Sequence, residues 1–144
     1  MVPLRFLSPL FLACALLSAG CGQQRELKEI YPVRGKVLFE GKSPQGARVV
    51  FHPAGNPDPR AILPHAEVGA DGTFVMSTYN FEDGAPAGTY AVTVTHFQGG
   101  GPTNLLPARY DNPSTSGLQA IVQEQSTELP PVHLTRNGTT PKTP

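Results

Sequence analysis

The chain of 144 residues has no tryptophan, only two cysteines, and charged side chains at just 15% of its length. Each scarcity closes off a class of function. Four Tyr and seven Phe are a poor supply for an aromatic platform on which sugars or bases would stack. Eleven basic and eleven acidic residues cancel, leaving no positive field to hold nucleic acid by neutralising its phosphates. No nucleic-acid partner is expected. Outside the first twenty residues, no stretch keeps the 3.6-residue period of a helix for more than two turns. What is plentiful is punctuation: 15 Gly and 16 Pro make about a fifth of the chain, below the level of a disordered chain and without a collagen period. That composition suits many short strands joined by turns, and the length allows one domain.

Residues Leu4 to Leu17 are nearly all apolar, carry one positive charge at Arg5, and lead into Ser18-Ala19-Gly20-Cys21. The run is shorter than the roughly 20 apolar residues that span a bilayer core. It fits instead the basic start, apolar middle and small-residue end of a signal peptide. Ala19 and Gly20 directly before Cys21 resemble the lipobox of bacterial lipoproteins, where the signal is cut and the cysteine acylated. The Leu usual three residues before that cysteine is Ser18 here, with Leu17 one place earlier. The resemblance implies lipid attachment through Cys21, a palmitate-type acyl anchor, and a position at the cell membrane or outer membrane on its extracytoplasmic side. At about 0.8 kcal/mol per buried methylene, two or three acyl chains hold a protein durably where one does not. The alternative is that Cys21 is an ordinary cysteine after a secretory signal cut elsewhere. Cleavage before Cys21 removes Cys14 with the signal, so no intrachain disulfide can form. The expected division is 1–20 signal peptide, 21–30 polar tether, 31–136 folded domain and 137–144 disordered tail.

Within the domain, Gly88 to Phe97 is the strongest strand. Tyr90, Val92 and Val94 alternate with Ala91, Thr93 and Thr95, a period of two that puts the larger apolar side chains on one face. Val33 to Glu40 alternates in the same way, and Ala47 to His52 resumes after a turn at Gly41 to Gly46, so these two are expected to form a first hairpin. Pro53 to Pro64 holds four prolines and reads as a surface loop. His65–Ala70 and Thr73–Thr78 flank Asp71-Gly72, a hairpin signal because a type I′ turn needs positive φ at its centre. Gln98 to Gly117 is long and irregular, with Leu105, Leu106 and Tyr110 expected to pin it to the core. Leu118–Gln123 and Thr127–Leu134 complete the set, the second placed at an edge by Pro130 and Pro131. The expectation is an all-β protein: a seven-stranded immunoglobulin-like or transthyretin-like β-sandwich after an N-terminal signal peptide.

Val33-Arg34-Gly35-Lys36-Val37, Gly41-Lys42-Ser43-Pro44, Gly46-Ala47-Arg48-Val49-Val50-Phe51, Asp71-Gly72-Thr73-Phe74 and Gly84 to Val94, in that order, resemble the carboxypeptidase regulatory-like domain. This is a transthyretin-like sandwich common in bacterial surface lipoproteins. The resemblance runs from about Tyr31 to Leu134 and implies no peptidase activity in the domain itself. Gly35 and Gly88 then read as close approaches or bends, Pro44 and Pro86 as stiffened turns, and Gly46 and Gly72 as positions needing positive φ.

A zinc peptidase needs clustered ligands such as two helical histidines with a glutamate, whereas His52, His65, His96 and His133 are each isolated in the sequence. There is no Gly-x-Ser-x-Gly elbow, and Gly99 to Gly101 lacks the Lys and Ser or Thr of a phosphate loop. The hydroxyisourate hydrolases of transthyretin fold end in Tyr-Arg-Gly-Ser, and this chain ends Thr140-Pro141-Lys142-Thr143-Pro144. If successive strands run up and down, Pro53–Pro64 and Tyr79–Ala87 share one end and bring Asp58, Arg60, Glu82 and Asp83 together. The reading is therefore a lipid-anchored, non-catalytic binding or structural module of the bacterial cell envelope. It has no catalytic residue, no metal and no cofactor, its partners are the membrane and an envelope protein or polysaccharide, and Cys21 is its one site residue. The alternatives are a small envelope hydrolase using histidines from separate strands, or an accessory subunit of a larger surface enzyme.

Overall fold

In the computed structural model, which describes residues 27–55 and 58–138, the chain is all-β and builds two four-stranded sheets. The strands are β1 Val33–Phe39, β2 Arg48–Pro53, β3 His65–Glu67, β4 Thr73–Val75, β5 Gly88–Thr95, β6 Leu118–Val122, β7 Thr127–Glu128 and β8 Val132–Leu134. One sheet has the order β3-β2-β5-β6; in the other, β1 is central, with β4 on one side and β7 and β8 pairing with it in parallel.

The inward faces are those the alternation predicts. Tyr90, Val92 and Val94 of β5, Val49 and Phe51 of β2, and Val33 and Val37 of β1 are all buried in a single core. Each such side chain contributes about 1.5–3 kcal/mol relative to exposure. Gly35 keeps the face it shares with Val33 and Val37, but for space: a Cβ there would lie 2.5 Å from the Phe74 ring across the β1–β4 ladder.

Several expectations are corrected. Val33–Glu40 and Ala47–His52 do not form a hairpin, because β1 and β2 belong to different sheets. After β1 the chain folds tightly, with Phe39 and Lys42 exchanging backbone hydrogen bonds at 2.7 and 3.0 Å. It then crosses the sandwich, so the two apolar faces meet across the core rather than side by side. At Asp71-Gly72 a turn forms, but it is not type I′: Gly72 has φ of 86° while Asp71 does not take positive φ, and the turn is closed by Gly72 N–H donating to Gly69 O at 3.0 Å and Gly69 N–H donating to Thr73 O at 2.8 Å. The strands on either side of it nevertheless belong to opposite sheets, and their backbones pair again at the His65–Ser77 bridge. Leu105 is 45% exposed and does not pin the long connection. Leu106 and Tyr110 do so, Tyr110 fully buried with its hydroxyl 3.0 Å from both Thr135 N and Thr135 O.

The expected last strand, Thr127–Leu134, is divided into β7 and β8, giving eight strands among the described residues. Pro130 and Pro131 have no N–H to give to β1, and the ladder lapses opposite Gly35 and Lys36. The up-and-down course places the loops as expected. The described parts of the loop after β2 (54–55 and 58–64), the loop 76–87 and the arch 123–126 lie at one end with the start of β1, and the loops 40–47, 68–72 and 96–117 lie at the other.

Candidate functional site

The two sheets close against each other at β3 and β4 but stand apart on the opposite side. There β6 ends one sheet and β7–β8 ends the other, and a cleft of about 830 Å³ opens between them. Its size lies in the range of small-molecule sites. Its floor is the core itself, where Val37, Phe51, Phe74, Val92 and Val94 are buried beneath the opening, while Leu118, Ala120, Leu129 and Val132 form its walls. The rim is polar, with Gln119, Gln123, Thr127, Glu128 and His133.

Local sequence explains the opening. The arch Gln123–Ser126 carries the chain from one sheet to the other and is fixed by Gln123 N–H donating to Thr127 Oγ1 at 3.2 Å and by Thr127 Oγ1–H donating to Gln125 O at 3.1 Å. Beyond it, Thr127 N–H and Leu129 N–H donate to Pro32 O and Arg34 O at 2.9 and 2.8 Å, and the two prolines then interrupt the edge. On the facing side β6 reads Leu-Gln-Ala-Ile-Val, with no charge and no proline, and Ile121 is 62% exposed. Edge strands in natural sheets are ordinarily blunted by charge, proline or brevity. β3 and β4 are three residues long and β7–β8 carries Glu128 and two prolines, whereas β6 has none of these devices.

The cleft can accept an apolar body between the sheets and can offer the free backbone side of β6 to an extended chain. Its ionisable lining is Glu128 and His133, both exposed. The histidines fall in separate surroundings. His52 Nε2 is in hydrogen-bond contact with Thr93 Oγ1 at 2.9 Å on the outer face of its sheet, and burial holds its imidazole below the ordinary value. His65 Nδ1 lies 3.3 Å from Leu63 O, and the backbone N–H of His96 donates to Asn104 Oδ1 at 2.9 Å. Among the described residues no group of three or more His, Cys, Asp and Glu is placed to hold a metal ion.

Of the end-loop quartet, Asp58 pairs with Arg60 at 3.4 Å, while Asp83 turns inward to its own loop and accepts the backbone N–H groups of Thr78, Tyr79 and Asn80 at 2.6, 3.0 and 2.7 Å. Burial alone would push the Asp83 carboxyl up, but these three donors outweigh it and hold it below the usual carboxylate value. Tyr90, whose hydroxyl donates to Pro86 O at 2.7 Å, is pushed up to about 12 by burial and stays a neutral phenol. Cys21, the signal peptide and most of the tether lie outside the described residues, as do residues 139–144 of the tail. The cleft has no motif of its own in the sequence; the one hint is the Pro-Pro pair beside an uncharged strand. Comparison with protein-family models finds no match, and neither does comparison with curated proteins.

Proposed function

We propose that the protein is a lipid-anchored, extracytoplasmic binding module of the bacterial cell envelope, non-catalytic, with Cys21 carrying the lipid and the cleft beside β6 receiving the ligand. The binding half rests on one observation: an apolar cleft of about 830 Å³ bordered by the uncharged, unblunted edge of β6. Such an edge suits an extended segment that adds as a strand, main chain against main chain, with alternate apolar side chains directed between the sheets. The anchoring half rests on the sequence Ala19-Gly20-Cys21 after a signal-like apolar run. The finer fold assignment belongs to the same reading. A sandwich of immunoglobulin-like or transthyretin-like type, akin to the carboxypeptidase regulatory-like domain, accounts for the ordered glycine and proline positions from Gly35 to Gly88.

Two measurements test the halves separately. The intact mass of the protein from bacterial membranes, against Cys21→Ala, is expected to show a chain starting at Cys21 and heavier by two or three acyl chains; an unmodified chain refutes the anchor. For the cleft, amide resonances are followed while an uncharged hexapeptide of alternating valine and threonine is added. Shifts confined to β6, β7 and β8 are expected. Shifts spread over the outer faces, or none at millimolar peptide, refute the assignment of the cleft.

A further inference from the structure

At the end of the sandwich where the N-terminal segment leaves the domain, one loop holds it. Lys28 N–H donates to Tyr79 OH at 3.1 Å, and Tyr31 and Ala85 exchange backbone hydrogen bonds at 3.0 Å each. Two residues beyond Tyr79 stands Phe81, 87% exposed, the barest of the large apolar side chains among the described residues. This exposure is not fraying. The Asp83 carboxylate fixes the three backbone N–H groups of Thr78, Tyr79 and Asn80, which lead into Phe81. Glu82 N–H donates to Ser77 Oγ at 2.8 Å, and Thr78 Oγ1–H donates to Gly84 O at 2.7 Å. Gly84 has φ of 110°, and a Cβ there would overlap the Tyr31 carbonyl. Glu82 itself is held at φ of 54°, a left-handed conformation that costs a non-glycine residue on the order of 1 kcal/mol. The loop is thus braced and strained in a shape that presents a phenyl ring to the surroundings, with the emerging chain hydrogen-bonded beside it.

We propose that Phe81 inserts into the lipid interface of the membrane as a second contact next to the anchor, an inference that rests on the reading of Cys21 as lipidated. Six residue steps separate Cys21 from Leu27, a reach of at most about 22 Å in a fully extended chain. The chain that would carry the lipid is tied to Tyr79, so the membrane lies on the side of the domain that displays Phe81. Leu27, 65% exposed, and Ile62, 40% exposed, lie at the same end. Amphipathic and apolar side chains with this kind of exposure are at home at the headgroup level. The charged residues in the loop and in the emerging chain, Lys28, Glu29, Glu82 and Asp83, and the Asp58–Arg60 pair at the same end make no cationic cluster; the contact is made by the ring and does not depend on anionic lipid. With both contacts in place, the strands stand away from the membrane, and the cleft opens sideways along its edge.

The absence of tryptophan from the chain makes Phe81→Trp a single reporter. The full lipidated protein carrying that change is placed on phosphatidylcholine vesicles, with Ser114→Trp at the opposite end of the sandwich as the control, and intact mass is recorded for both. The expected result is a blue-shifted indole emission from the Phe81→Trp protein and at least about a twofold loss of it to brominated phosphatidylcholine, with the emission of the Ser114→Trp control unaffected and both signals indifferent to salt. Lipidated, vesicle-bound Phe81→Trp protein whose emission behaves as that of the control overturns the proposal and leaves the anchor standing. A blue shift without bromolipid quenching also overturns it, since the ring is then covered by protein. Unmodified Cys21 and protein remaining in solution overturn both readings together.

Discussion

Asp83 is the residue on which the shape of the loop between β4 and β5 turns, and its removal has a calculable effect. Asp83→Ala deletes acceptors for three backbone N–H groups, at Thr78, Tyr79 and Asn80. Thr78 is buried and Tyr79 half-buried, so water cannot fully replace the carboxylate for those two, while Asn80 is exposed and loses little. Two partly desolvated donors at about 1 kcal/mol each, with a smaller share for the third, give a loss of about 2 kcal/mol. In a domain of this size that lowers the midpoint of thermal unfolding by roughly 8–16 °C. Circular dichroism melting of the two proteins measures it. The same carboxylate sets a pH dependence. Its folded value lies below the ordinary 3.8, so its contribution is complete above that value and drains away as pH falls through the folded one. Wild type is therefore expected to lose stability on acidification more steeply than Asp83→Asn, and the gap between them to narrow below about pH 4. Equal melting of Asp83→Ala and wild type at pH 7, or parallel acid profiles for wild type and Asp83→Asn, would refute the argument that this carboxylate organises the loop.

Three further outcomes are expected. Gly35→Val drives a branched side chain into the Phe74 ring and lowers stability by about 1–3 kcal/mol, measured by urea unfolding; because the two sites collide, the double change with Phe74→Ala is expected to cost less than the sum of the two single changes. Val92→Asp sets a carboxylate among Phe51, Val94 and Leu118 with no partner and costs several kcal/mol, enough to abolish cooperative melting in a domain of about 5–15 kcal/mol. His52, held below 6.5 by burial, gains a proton less readily folded than unfolded, so stability falls as pH drops from 6.5 through the folded value; His52→Gln is expected to flatten that part of the profile, and imidazole resonances report the titration directly.

The strands of this protein were legible in its sequence because their signal is local. Tyr90, Val92 and Val94 announce an inward face at a spacing of two, and Phe51, Val49 and Val37 do the same, so the all-β class and the core follow from alternation alone. The prolines at 130 and 131 likewise announce an edge. Alternation says which way a side chain points and not which strand lies beside it. For that reason β1 and β2, adjacent in the chain and alike in pattern, could be read as a hairpin when they face each other across the core. The partners were set by pairings distant in sequence, such as Val50 with Thr93 and Val37 with Val132. The candidate site belongs to the same category: the cleft exists only because two edges meet without closing, and the sequence hints at it only through the Pro-Pro pair beside the uncharged Leu118–Val122. The carboxylate of Asp83, read as one of four loop charges, found its role when the loop brought three backbone donors to it. Neighbouring residues alone were enough to give the direction of each side chain and the signal-like run ending at Cys21. Which strands pair, where the sandwich stays open, and that the emerging N-terminal chain and Phe81 share one end all waited on the folded molecule, because they depend on contacts between residues far apart in the chain.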